Sequence, residues 1–266
     1  MFEAQEWVLD SGSLTMRYHL AAWDEETVGG PTAVISHFQV HHPADAKTAF
    51  SVFRNWCEER AVVLVSCRLG HDRLLESGFL EAAGFRFIEL NYRPELVRLR
   101  SLDLGVTESM EIHKAVEEDC ALLADMASHV FRAGRFHSDP MISPTIGDRR
   151  YRVWIENAFR NPWQTVLRCT DGGVVVAFFV VEARGSTGRF WSLVGLAPGL
   201  AGRGLGTQVW RSLLRFHQQE GVDQISTSIS SLNVPVLNLY VKLGFRFPPP
   251  EMTLHWCPRG PVGMPG

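Results

Sequence analysis

A chain of 266 residues with 45% hydrophobic and 21% charged content has the make-up of a globular protein, one large domain or two small ones. Its net charge of −3 offers no general attraction to nucleic acid, and its longest apolar run, Val174–Val181, is too short to span a bilayer, so neither is an expected partner. Scattered cysteines without CxxC spacing, and no readable signal peptide at Met1–Glu6, point to reduced thiols and a cytoplasmic setting.

The first forty residues read as short strands. Trp7–Leu9 and Leu14–Leu20 flank the Asp10-Ser-Gly turn, and Ala33–Val40 follows Gly29-Gly-Pro. His37, His41 and His42 lie close together, but His41 and His42 point to opposite faces of a strand and only Asp45 accompanies them, so no metal is expected. Ala46, Phe50, Phe53 and Cys57 recur at helical spacing and predict a helix over Ala44–Glu59. A buried strand at Ala61–Cys67, a helix at His71–Ala83 stopped by Gly84, and a strand at Phe85–Asn91 follow. Pro94–Gly105 reads as a linker. A strand over Glu108–Ala115 then runs into the acidic start Glu117-Glu-Asp and a helix through Val130. Phe131–Pro144 is irregular. Asp148–Phe159 is helical, with Tyr151, Trp154, Ile155 and Phe159 on one face. Thr165–Thr170, Val174–Glu182 and Arg189–Ala197 form a meander through Asp171-Gly-Gly and Gly185-Ser-Thr-Gly. The last elements are a helix at Thr207–Gln219, a strand at Gln224–Ile229 and a helix at Asn233–Leu243 ended by Gly244, with Phe245 opening a strand.

The order helix, strand, helix, glycine, strand occurs twice. Ala83-Gly-Phe-Arg-Phe87 and Leu243-Gly-Phe-Arg-Phe247 stand at the same point of each unit, so residues 48–98 read as a degenerate copy of 207–257. The early copy has Leu80 where the late copy has Tyr240, and no glycine-rich segment before its first helix.

That segment is Val194-Gly-Leu-Ala-Pro-Gly-Leu-Ala-Gly-Arg-Gly-Leu-Gly206, between a strand and a helix start. Such a junction is an anion site: glycines let the backbone curl, and the first-turn N–H groups point outward with the helix dipole behind them. A phosphate loop of the Walker type needs a lysine before Thr207, and a Rossmann loop needs G-x-G-x-x-G early in a βαβ unit; neither is present. Pro198 followed by Gly202-Arg-Gly-Leu-Gly206 resembles the acetyl-CoA pyrophosphate loop of the GNAT N-acetyltransferase superfamily, V-x-P-x-x-R/Q-G-x-G-x-G/A, with Ala201 in place of Arg or Gln. Asn233-Val-Pro-Val-Leu-Asn-Leu-Tyr-Val-Lys-Leu-Gly-Phe245 resembles the second signature, N-x-x-A-x-x-L-Y-x-x-x-G-F, with Val236 for Ala. From the residues alone, Asn233 can cap its helix, with Pro235 in the first turn.

The resemblance implies an α/β GNAT fold, a mixed and mostly antiparallel sheet with flanking helices. It would be complete in residues 106–258 and preceded by a truncated GNAT-like half in 1–100. It implies acetyl-CoA as co-substrate, no metal, and direct transfer of acetyl to a primary amine. The implied cofactor residues are Val194, Leu196, Ala201, Gly202, Arg203, Gly204, Leu205, Gly206, Thr207 and Asn233. Tyr240 would protonate the leaving thiolate, for which a phenol is a suitable donor; the other reading is a buried core ring. Glu89 is the candidate base: alternation puts it on one strand face with Phe85 and Phe87, where burial would raise its pKa. An exposed strand-end glutamate is the alternative, as are Glu182 or His137 as base. Gly134-Arg-Phe136 followed by Tyr151–Asn157 is similar to a two-part branch of the superfamily that acetylates nucleotide-linked deoxyamino sugars. That implies Arg135, Phe136 and His137 on the acceptor side. An amino acid, polyamine, antibiotic or protein N-terminus as acceptor stays open, as do a non-catalytic acyl-CoA-binding module and a homodimer.

Overall fold

The computed structural model describes residues 5–105, 110–200 and 204–264. In chain order the strands are β1 (Glu6–Asp10), β2 (Leu14–Leu20), β3 (Thr32–Val40), β4 (Leu64–Gly70), β5 (Arg86–Tyr92), β6 (Glu95–Val97), β7 (Glu111–Lys114), β8 (Gln164–Asp171), β9 (Val174–Arg184), β10 (Gly188–Leu196), β11 (Gln224–Thr227), β12 (Ile229–Ser230) and β13 (Glu251–Trp256). The helices are α1 (Ala22–Val28), α2 (Pro43–Glu59), α3 (Leu74–Ala82), α4 (Cys120–Val130), the single turn α5 (Arg135–Ser138), α6 (Pro144–Arg160), α7 (Leu205–Gln219) and α8 (Val234–Lys242). The chain divides into two compact units.

The first unit comprises Met1–Asn91, Ala133–Arg150 and Pro249–Gly266. Its strands run β1-β2-β3-β4-β13-β5, antiparallel except for the parallel pair β3–β4. One face is apolar: Val65, Cys67, Leu69, Met252 and Leu254 pack with Phe50, Phe53 and Trp56 of α2 and Leu80 of α3. Alternation sends their neighbours Ser66, Thr253 and His255 to the opposite face, where they are buried but polar.

The second unit comprises Tyr92–Arg132 and Tyr151–Pro248. Its strands run β6-β11-β10-β9-β8-β7, with β10–β11 the parallel pair. Phe179 and Trp191 pack with Trp210, Leu213 and Leu214 of α7 and Tyr240 of α8, while Phe178, Val180 and Leu193 pack with α4 and Ile155 of α6. This is the mixed α/β layering expected.

The two copies superimpose in their local bonds at a constant offset of 160 residues (240 − 80, 245 − 85). The Phe85 N–H donates to the Leu80 carbonyl at 2.9 Å, and the Phe245 N–H to the Tyr240 carbonyl at 3.0 Å. Gly84 and Gly244 sit between at φ +100° and +84°, a helix-ending conformation that favours glycine. The copies exchange their last strands. β6, from the early copy, pairs with β11; β13, from the late copy, pairs with β4.

Several expectations are corrected. Pro94–Gly105 is not a free linker, because it contains β6 and buries Leu96, Leu99 and Leu104 in the second unit's core. Phe245 opens no strand: Arg246 makes one isolated bridge to Glu95, and Pro248, Pro249 and Pro250, which have no N–H to donate, hold the ladder off until Glu251. α1 was not foreseen, since seven residues are too few to show a period. α6 begins at Pro144 rather than Asp148, a proline being well placed in a first turn.

Candidate active site

In the second unit, β10 pairs with β9 as far as Leu196 but with β11 only from Gly188 to Trp191, opposite Gln224–Thr227. The Thr227 hydroxyl donates to the Trp191 carbonyl at 2.8 Å and closes that ladder. Ser192–Leu196 run on past it, so the sheet forks. A bulge between Trp191 and Leu193 turns Val194 and Leu196 to the α7–α8 side. Backbone groups on the forked edge can accept an extended, amide-bearing ligand as a further strand would be accepted.

α7 starts at the head of this fork. Its N-cap, Gly204, has φ +79° and ψ −10°, left-handed backbone that glycine adopts without strain. A Cβ on Gly206 would lie 3.7 Å from Leu239 of α8 and 3.8 Å from Leu196, so the first turn sits against the ends of both elements. The amides of Leu205, Gly206 and Thr207 are first-turn donors without helical acceptors. Ala201, Gly202 and Arg203 lie outside the described residues. Asn233 is the N-cap of α8 but makes no side-chain capping bond, contrary to expectation; Pro235 removes one of the N–H groups such a cap would bind.

Tyr240 is 2% exposed, its ring 4.7 Å from Phe245 and 6.5 Å from Trp210. Burial pushes the phenol above its usual pKa, while bonds with the Trp210 and Thr227 side chains pull the other way. The proton is therefore held at neutral pH, and Thr227 ties the phenol to the root of the fork. Glu182, an alternative base, is engaged by Gln164 at 3.0 Å and Arg184 at 2.8 Å.

In the first unit the expected face of Phe85, Phe87 and Glu89 is broken. β5 bulges against β13, so Phe87 pairs with Leu254 on the apolar side while Glu89 pairs with Thr253 on the polar one. Glu89 is 4% exposed and Phe87 48%. Arg135 donates to the Ser66 hydroxyl at 2.7 Å and to Asp24 at 3.4 Å, and Arg150 donates to Asp24 at 2.8 Å. Burial lowers the Arg135 pKa to about 10, opposed by Asp24 and assisted by Arg150 and Arg68. Phe136 is buried under the guanidinium groups of Arg135 and Arg150. His137 bonds Asp148 at 2.9 Å, and its ring lies against Gly147, where a Cβ would come within 2.5 Å.

Two residues on this face escaped sequence reasoning. Asp139 accepts from His255 Nδ1 at 2.9 Å, from Arg86 at 3.1 Å and from the Met141 N–H at 2.9 Å. Burial pushes His255 down to about 4, against the pull of Asp139, so its ring is neutral. The alternation of Met252 and Leu254 with Thr253 and His255 was the available signal. The described residues hold no group of three or more His, Cys, Asp or Glu placed for a metal, and no helix long and apolar enough to cross a membrane.

Comparison with known proteins bears on this geometry. Residues 133–245 match the model of the acetyltransferase (GNAT) family. That stretch is similar to the acetyltransferase domain of the GNAT family. Over 148 residues, 54% of the chain, it is 28% identical to dTDP-fucosamine acetyltransferase of Escherichia coli O6:H1, and the match spans 61% of that relative's length. In fold, a conserved protein of unknown function from Staphylococcus epidermidis aligns with a TM-score of 0.67 at 9% identity, covering 96% of this chain and 95% of the other. A tandem GNAT protein of the clavulanic acid biosynthesis pathway aligns with a TM-score of 0.60 at 14% identity, over 98% of this chain and 83% of its own. The GNAT fold is thus matched across both units.

Proposed function

We propose that the chain is an acetyl-CoA-dependent N-acetyltransferase whose acceptor is the amine of a nucleotide-linked deoxyamino sugar. The observation that carries the reading is the fork beyond Trp191–Thr227, with the Gly204-led helix start at its head and the Tyr240 phenol at its root. The forked edge at Val194 and Leu196 would take the amides of the CoA arm. The residues from Ala201 to Thr207 would take its pyrophosphate, and the uncommitted Asn233 side chain would bond the arm. The sugar class is supported by the name of the E. coli relative. Arg135, Phe136 and His137 would shape the acceptor side, with the Arg135 guanidinium the charge suited to a diphosphate.

In the reaction the neutral amine attacks the thioester carbonyl. The N–C bond forms, the C–S bond breaks, Glu89 takes the N–H proton and Tyr240 gives its proton to the departing thiolate. The test is a panel of amines with acetyl-CoA, read by thiol release, including dTDP-fucosamine, free amino sugars, amino acids and polyamines. Acetylation of dTDP-fucosamine well above the free amines is expected. Preference for a polyamine or an amino acid would overturn the sugar assignment, and silence across the panel would overturn the transferase.

A further inference from the structure

The polar face of the first unit's sheet carries a buried arrangement that the reaction above does not use. His255 and Thr253 are both 0% exposed, two residues apart on the same side of β13. Asp139 accepts from His255 Nδ1, so the ring carries its proton there and presents Nε2 as a bare acceptor. Neither His255 Nε2 nor Thr253 Oγ1 has a hydrogen-bond partner among the described residues. Fully buried polar atoms of this kind cost stability unless something completes them. Thr253 is the cross-strand partner of Glu89, which places their Cβ atoms about 5 Å apart on one face.

We propose that Asp139 and His255 form a positioning dyad for the Glu89 carboxylate, acting through one water held by His255 Nε2 and the Thr253 hydroxyl. This rests on the reading of Glu89 as the base. The hydrogens match. Thr253 donates to the water, and the water donates once to Nε2 and once to the carboxylate. In the other tautomer the ring would donate to the water instead of accepting from it, so one of the water's hydrogens would lose its fixed partner and its orientation toward Glu89 would be less constrained. Asp139 selects the tautomer, as an outer carboxylate does for a working imidazole. The other groups facing the ring are Ser66 and Arg68 from β4, Arg86 from β5, and Arg135 and Phe136 from α5.

Histidine-¹⁵N spectra of the full chain read the ring directly. His255 should be a neutral Nδ1–H imidazole from about pH 8 to about pH 5, and its Nε2 resonance should move in Glu89→Gln. A proton on Nε2, or an Nε2 resonance indifferent to Glu89→Gln, overturns the dyad whatever the protein catalyses. With acetyl-CoA and dTDP-fucosamine, Asp139→Asn and His255→Leu should each lower kcat about 10–100-fold with KM for acetyl-CoA unchanged. His255→Gln, which restores an acceptor near Nε2, should recover most of it. Asp139→Asn added to Glu89→Gln should cost nothing more, since both act on one group. Losses that multiply would sever the dyad from Glu89 while leaving Glu89 as the base. A wild type that acetylates no amine would remove the transferase reading, and the spectra alone would still decide whether the ring addresses Glu89.

Discussion

The two copies of helix–strand–helix–glycine–strand share a frame and differ in what stands on it. Cys57 and His217 accept from Val62 and Val222 at 2.9 Å each, and Leu80 and Tyr240 accept from the phenylalanine past the glycine. Yet the early copy's first helix begins at Pro43 behind His42, with no glycine run, and its second carries Leu80. The late copy begins its first helix behind left-handed Gly204 and carries Tyr240. Bonds of the frame come from the main chain, so they tolerate side-chain drift. The proposed anion site and the phenol each hang on particular residues. A frame can therefore persist in a copy that has lost, or never had, the chemistry.

The sharpest break of that contrast is Tyr240→Phe, which makes the late copy's ring as inert as Leu80. We expect kcat to fall roughly 10²–10⁴-fold with acetyl-CoA affinity little changed. A wild-type kcat would make the two positions equivalent, both core. Next comes the exchanged strand. His255 is held neutral with a pKa near 4 against an ordinary 6.5, so the unfolded chain binds its proton first as the pH falls. Stability from this group is whole above pH 6.5 and drains away towards pH 4, by about 3 kcal/mol. Urea midpoints across that range should slope in the wild type and flatten in His255→Gln; equal slopes would mean that β13 is not anchored by a buried neutral ring. Third, Glu89→Gln should lower turnover on the order of 10²-fold near pH 7 and approach the wild type near pH 9, where more amine is already neutral. Parallel pH–rate profiles would return the early copy to a purely structural role. The smallest effect expected is at Gly204. Valine there strains the left-handed backbone, while its Cβ would have no described atom within 4 Å, so calorimetry should show CoA binding weakened about tenfold in a folded protein. Unchanged affinity would separate the loop from the cofactor.

The periodic elements were legible because period is a local property. α2 and α7 followed from apolar spacing, and β8, β9 and β10 from alternation between glycine turns. The residues around Glu89 were legible only in part. Alternation assumes an unbroken pleat, and the bulge opposite Thr253 and Leu254 reverses the side on which Glu89 emerges. The Asp139–His255 pair joins residues 116 apart, and Asp24–Arg150 residues 126 apart; such pairings have no local signature. The late strand was misplaced for the same reason. Phe245-Arg-Phe247 has strand composition, but the strand forms beyond the prolines, against β4 and β5, partners that lie far back in the chain.

The exchange of β6 and β13 has a consequence for how the protein comes into being. The first sheet contains residues 64–70 and 86–92, but the strand between them, residues 251–256, emerges from the ribosome about 160 residues after the second of them (251 − 92 = 159). Until then β4 and β5 each present an open edge flanking a gap, the kind of surface that recruits stray strands. The leading half therefore cannot finish folding while the trailing half is still being made. A gene cut at the apparent boundary near residue 100 would leave each product without one strand of its own sheet. The repeat reads as two units, but each sheet needs a strand from the other to be complete.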